Sequence, residues 1–279
     1  MTAPPKPLRA HLVAGGFPRH SSAGHDIDFV RLRLLELLRE GDRAITSVAS
    51  DFADIESWLP RTDLLITYVA GPYLDDDQAE AVGTWLEGGG RWLALHGTSG
   101  GKAVPPADGR PGRIVSRSRH HEVLGSAFLN HPPIRRFRVD VRDHSLTRGL
   151  PDSFEVEDEL YLIELLAPDQ SDVLLTTSSL PADDPAPRDF GFTYGEDTSV
   201  RSDGHTRALA YLREYGKGAV AYIGLGHCHT PATNIQPWVH ESVDPKGKTP
   251  LVFQGPWKSE AFLRLLRNGI AWGTGPTGT

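Results

Sequence analysis

Only one of the 279 residues is a cysteine, Cys228, and only one is a methionine. An intramolecular disulfide is therefore impossible and a four-thiolate zinc site is excluded. Any metal site must be assembled from histidines and carboxylates, and twelve histidines are present. No window approaches the roughly eighteen consecutive apolar residues of a membrane span, and the Pro-rich start, residues 1–8, lacks the apolar core of a secretory signal. A cytoplasmic location without membrane attachment is expected. The formal charge of −7 comes with no basic stripe apart from a short Arg-rich stretch at residues 113–119, so nucleic acid is a poor partner. Neither a dinucleotide fingerprint nor a phosphate-binding loop follows a strand, and residues 97–102 have the wrong spacing for one, so no nucleotide cofactor is expected.

What is present is an alternation of strand-like and helix-like segments, which points to parallel βαβ units in an α/β fold with helices packed on the sheet. Residues 8–14 read as a first strand closed by Gly15 and Gly16. A helix follows over residues 25–39, with apolar Ile27, Val30, Leu34, Leu35 and Leu38 at helical period and Gly41 as its stop. Strands are predicted at 43–48, 64–69 and 91–95, with a helix at 75–87 ended by three glycines. The nearly continuous apolar run at 64–69 suits a central strand covered on both faces. Residues 97–119, rich in Gly, Pro and Arg, read as a long irregular loop forming a mobile cover. Further strands are predicted at 134–141 and 172–177, a Pro/Asp loop at 181–187, a hairpin of 207–214 with 219–225, and an amphipathic helix at 259–272. With no long linker, the chain reads as a single domain over 1–279, with flexible ends at 1–7 and 273–279.

Ligands of open parallel sheets bind beyond the carboxyl ends of the strands. Here those ends carry Gly15, Gly16, Phe17, His20 and His25 after the first strand, His96 after the fourth, and Gly226, His227 and His229 after the last. One histidine after a strand is more often structural; three strand ends doing so suggest a shared site. The segment Leu95-His96-Gly97 has the form of the sharp elbow on which related folds display a Ser or Cys nucleophile. An imidazole there can ligate a metal or move a proton. In an extended segment His227 and His229 share a side and Cys228 points away, so Cys228 reads as a buried small hydrophobe. Residues 155–159 supply carboxylates; alternation places Glu155, Glu157 and Glu159 on one face and Asp158 on the other. Near histidines, two such groups bind a divalent ion or separate into an acid and a base, and a solvated acidic turn is the plain alternative. His120, His121 and His131 are secondary candidates for substrate contact.

Taken together, Gly15-Gly16 to His25, residues 85–96 (WLEGGGRWLALH), 124–133 (LGSAFLNHPP), 146–151 (LTRGLP), 154–161 (FEVEDELY), 215–227 (YGKGAVAYIGLGH) and 268–272 (NGIAW) resemble the ThuA-like trehalose-utilisation family. That resemblance implies a three-layer α/β/α sandwich with a mostly parallel central sheet, of the class I glutamine amidotransferase-like or flavodoxin-like kind. It sets His96 at the position of the amidotransferase cysteine and His227 near that of its catalytic histidine. It also implies work on trehalose or a related disaccharide, through keto-sugars made by a partner oxidoreductase. Two departures stand out: Ala219 follows the Gly-Lys-Gly turn where the family carries Arg, and an Asp-x-x-His-Pro segment reads Arg142-Asp143-His144-Ser145.

The expected function is thus a hydrolase, lyase or isomerase acting on a disaccharide or keto-sugar derivative, and not a cysteine-dependent glutaminase. His96, His227, Asp158 and Glu159 are the expected catalytic residues. Gly16, His20, His131, Tyr161 and His229 are expected to contact substrate. His25, His96, His227 and Glu159 are expected to hold a divalent metal, zinc by donor type. Tyr161, Tyr194, Trp238 and Trp257 offer apolar faces to a sugar ring. A small carbohydrate is the expected partner, with pairing to a sugar oxidoreductase and with self-association into a homo-oligomer allowed. The alternative is a non-catalytic sugar-binding or regulatory domain on the same fold.

Overall fold

The computed structural model describes residues 7–16, 24–40, 44–180 and 192–273. The expected helix stop at Gly41, the 181–187 loop and most of both chain ends lie outside them. Along the chain run β1 (Leu8–Gly15), α1 (Ile27–Arg39), β2 (Ala44–Ala49), α2 (Ile55–Trp58), β3 (Leu64–Val69), α3 (Asp76–Glu87) and β4 (Arg91–Leu95). Then come β5 (Ala103–Val104), β6 (Ile114–Val115), α4 (Arg119–Leu124), β7 (Ser126–Asn130), β8 (Arg135–Val141), β9 (Ser153–Asp158) and β10 (Leu162–Leu165). The remainder is β11 (Ser171–Thr177), β12 (Arg207–Tyr215), β13 (Gly218–Ile223) and α5 (Glu260–Trp272).

Nine strands form one sheet in the order β2-β1-β3-β4-β13-β12-β11-β8-β9. The five from β2 to β13 are parallel neighbours, and the other four continue the sheet antiparallel. Only β12 and β8 therefore run against the rest. Side-chain alternation explains the three layers. Leu12, Ile66 and Leu93 face α1 and α5, where Val30, Leu34, Phe262 and Leu266 meet them. Their neighbours Val13, Leu65 and Trp92 face the opposite way, onto Ile55 of α2, Val82 of α3 and Val123 of α4. Residues 64–69 are buried throughout because both faces are covered, as expected of a central strand.

The helix ends are set by local chemistry. Asp75 accepts from Gln78 N while the Gln78 side chain accepts from Asp75 N, a reciprocal cap that starts α3. Asp26 caps α1 through Phe29 N, and its own N–H donates to Cys228 O at 2.9 Å. That bond fixes the segment before α1 to the segment after β13.

Residues 97–119 depart from the expected irregular cover. Their start is a buried single turn, His96–Ser99, and their middle is the short β5–β6 ladder. Arg113 O accepts from Thr193 N at 2.9 Å, which anchors the loop. His120 and His121 donate to the carbonyls of Thr98 and Gly100, at 2.7 and 3.0 Å. Both are buried ties beneath the turn.

Burial also pushes these imidazoles toward the neutral form: His120 falls to about 3, His121 to about 4, and His11 on β1 to about 4. All lie below the value of about 6.5 in an unfolded chain, so the unfolded chain binds more protons once pH drops beneath 6.5. Their contribution to stability is complete above pH 6.5 and declines from there toward pH 4. His120→Gln, which keeps a donor for Thr98 O, is expected to flatten the fall in unfolding free energy over that window by up to one proton's worth, about 1.4 kcal/mol per pH unit. Superimposable pH–stability curves for variant and wild type would disprove it.

Candidate metal and catalytic centre

The carboxyl ends of β1, β4, β9 and β13 bring four side chains together. His25, His96, Glu159 and His227 are all buried, and one ligand atom from each lies within 4.8 Å of all the others. Ligands held about 2.1 Å from a tetrahedral zinc lie about 3.4 Å from one another. The four groups are thus near enough to one another that they could hold a metal ion.

His96 begins the turn after β4 with φ +42°, in the left-handed region that non-glycine residues avoid at a cost of order 1–3 kcal/mol. Gly97 permits the bend, since a Cβ there would stand 2.5 Å from Val69 O. The ring is held by a bond from Nδ1 to Gly224 O at 2.7 Å, and Tyr222 donates its hydroxyl to His96 O at 2.9 Å. Because Nδ1 donates, the other nitrogen, Nε2, faces Glu159 Oε2 at 3.4 Å.

His227 follows β13 after Gly226, whose carbonyl accepts from Tyr68 Oη at 2.9 Å and Trp257 Nε1 at 2.8 Å. Trp257 thus serves the loop and not a sugar face. His227 Nδ1 lies 3.2 Å from the same Oε2 of Glu159, and His25 Nε2 lies 3.9 Å from it. His96 Nε2 and His227 Nδ1 are buried and have no hydrogen-bond partner. Two imidazole nitrogens thus converge on one carboxylate oxygen, an arrangement that calls for a positive centre among them.

Asp158 and Glu159 divide their roles. Asp158 ends β9 and accepts three backbone N–H groups: Gly226 at 2.7 Å, His227 at 2.9 Å and Glu159 at 2.9 Å. Burial raises its pKa to about 7, against the pull of His96 and of those donors. Both oxygens are committed to the backbone, so Asp158 shapes the loop that carries His227. Glu159 comes after the strand has ended, so alternation no longer applies. It turns inward, whereas Glu157 pairs with Arg136 in solvent at 2.6 Å. Burial would raise the Glu159 pKa, but His131, His227 and His96 overcome it and hold the carboxyl well below the usual range. For His96, Glu159 and Asp158 outweigh burial and the pKa is raised; for His227 burial prevails and lowers it to about 4.

The second oxygen of Glu159 faces another group of residues. Oε1 accepts from Gln236 Nε2 and lies 3.8 Å from His131 Nε2. Gln236 was not expected; it sits in an irregular segment, and no spacing distinguishes a lone glutamine there. Tyr161 lies over His96, with ring centroids 4.0 Å apart and its hydroxyl 3.5 Å from His25 Nε2. Phe128 and Phe192 extend this aromatic wall, with centroids 4.6 Å from Tyr161 to Phe128 and 5.2 Å from Phe128 to Phe192.

Of the residues expected to contact substrate, His131 and Tyr161 stand at the cluster. His229 is fully buried with both nitrogens engaged, by His227 and by Pro250 O. Gly16 directly follows β1, and His20 lies outside the described residues. Cys228 is buried, as its spacing implied.

The fold defines a class: a three-layer α/β domain of the glutamine amidotransferase-like kind. Within it, the chain belongs to the ThuA family, trehalose utilisation, whose model matches residues 10–241. Solved structures agree on the fold. A ThuA-like protein from Bacteroides uniformis is 16% identical with TM-score 0.61, covering 98% of this chain and 93% of its own. One from Parabacteroides merdae is 16% identical with TM-score 0.57, covering 98% and 92%. No curated protein matches the sequence. No helix among the described residues is long and apolar enough to cross a membrane.

Proposed function

We propose that this protein is a carbohydrate-processing enzyme, a hydrolase, lyase or isomerase of a disaccharide or keto-sugar derivative, whose centre is a divalent ion held by His25, His96, His227 and Glu159. The observation that carries the reading is the pair of unpartnered, buried imidazole nitrogens facing Glu159 Oε2. A proton serves one such contact; a divalent ion serves all four donors at once. Nitrogen and oxygen donors without thiolate suit zinc. When bound, such an ion supplies Lewis-acid polarisation of a carbonyl or acidification of a water.

The chain's own groups do the rest. Glu159 neutralises part of the positive charge. His131 donates from Nδ1 to Pro132 O at 2.9 Å, which leaves Nε2, beside Glu159 Oε1, as the atom to take up and return a proton. Tyr161 and Phe128 exclude water and offer an apolar surface to a sugar ring. Supply of an oxidised sugar by a partner oxidoreductase belongs to the same proposal.

Metal analysis of protein purified without added metal is expected to give about one equivalent of a divalent ion per chain. Chelation should abolish turnover in a screen of oxidised and unoxidised disaccharides, and zinc should restore it. Full turnover by metal-free protein would overturn the metal assignment. Saturable sugar binding with no turnover across the screen would favour the non-catalytic reading.

A further inference from the structure

We propose that His229 is a positioning residue, which sets the tautomer of His227 so that Nδ1 is bare toward the cluster. A carbonyl oxygen accepts and cannot donate, so the hydrogen between His229 Nε2 and Pro250 O, 2.9 Å apart, belongs to the imidazole. In neutral His229 the lone pair is then on Nδ1. That atom stands 3.0 Å from His227 Nε2, so His227 donates to it. The remaining nitrogen of His227, Nδ1, is left with a lone pair, and it is the buried atom 3.2 Å from Glu159 Oε2 that has no hydrogen-bond partner. The opposite tautomer of His227 would donate from Nδ1 to Glu159 Oε2 at 3.2 Å, but it would set two lone pairs against each other at the 3.0 Å His227–His229 contact and would close Nδ1 to an ion.

The relay is anchored by backbone. His229 N donates to Phe253 O at 2.8 Å and Phe253 N donates to His229 O at 2.9 Å, so the stretch containing Pro250 is closed back onto His229. The His229 ring stacks on Phe253, with centroids 5.6 Å apart. Metal-ligating histidines donate their second nitrogen to a fixed acceptor, and loss of that acceptor typically weakens metal binding 10- to 100-fold. Here the acceptor is a second imidazole, whose own orientation is dictated by a main-chain carbonyl.

The effect on affinity rests on the metal reading above, whereas the tautomer does not, and two measurements separate them. Nitrogen-15 NMR of metal-free protein near neutral pH is expected to show the His227 hydrogen on Nε2; a hydrogen on Nδ1 overturns the proposal whether or not metal binds. Zinc affinity, measured by chelator competition, is expected to fall about 10- to 100-fold in His229→Phe, which fills the same space without an acceptor. His229→Asp, whose carboxylate can only accept, should recover most of the loss. A folded His229→Phe protein binding zinc within twofold of wild type also overturns the proposal. If that variant does not fold, the NMR result on wild type decides. Absence of zinc binding by wild type, with the hydrogen found on His227 Nε2, would remove the metal reading and leave the tautomer assignment standing.

Discussion

On the proposed metal centre, His96→Ala and His227→Ala are each expected to retain less than about a tenth of the divalent metal that wild type binds, with any metal-dependent turnover lost in proportion. Removing a direct ligand should exceed the 10- to 100-fold loss typical of disturbing a ligand's hydrogen-bond partner. The two variants should differ in stability. His96→Ala leaves Gly224 O without the donor it has at 2.7 Å. A buried acceptor so stranded costs about 1–3 kcal/mol, so metal-free His96→Ala should melt below metal-free wild type. Metal analysis and calorimetry on the same preparations check both parts. Unchanged metal content in either variant would show that the cluster is not a ligand set.

Asp158→Ala should be the most damaging single substitution for the fold. Three backbone N–H groups, those of Gly226, His227 and Glu159, lose their acceptor together. At roughly 1–3 kcal/mol for each buried donor, partly relieved by relaxation or an entering water, the loss is on the order of 4 kcal/mol. Metal binding should fall as well, since the backbone that carries His227 is no longer held. Asp158→Asn keeps the shape but points an NH2 group at one of those donors, so it should recover little. Denaturant titration of the three proteins tests the order, and an Asp158→Ala variant within 1 kcal/mol of wild type would refute the role given to this carboxylate.

The parallel half of the sheet was legible because its elements carry single, strong periods. Residues 64–69 are mostly apolar and buried on both faces, α3 has its reciprocal cap, and α5 lays Phe262, Leu265 and Leu266 on one side. His25, His96 and His227 could be placed together because each follows a strand and parallel strand ends are neighbours. Glu159 was expected as a metal ligand and stands in the cluster, although alternation along an extended segment would group it with Glu155 and Glu157; it escapes that rule because it lies one residue beyond the end of β9. Residues 119–124 form a helix of under two turns, too short for any period to register. Gln236 and the role of His229 depend on contacts with Glu159 and Pro250, 77 and 21 residues away, and no local pattern encodes those.

The strand order has a mechanical consequence. β9 lies four strands from β13, which in a flat sheet would be about 19 Å. Yet Asp158 at the end of β9 touches Gly226 just past β13. The end of β9 and the segment after β13 must therefore approach each other across the intervening strand ends, and the four-residue cluster lies where they meet. An ion held there, as proposed, would act as a rivet between the two halves. Saturation a thousandfold above its dissociation constant would add about 4 kcal/mol to the folded state, on the order of 10 °C in melting temperature for a domain of this size. Destabilising substitutions in β8, β9 or β11 would then be masked while metal is plentiful and would emerge as sensitivity to chelators.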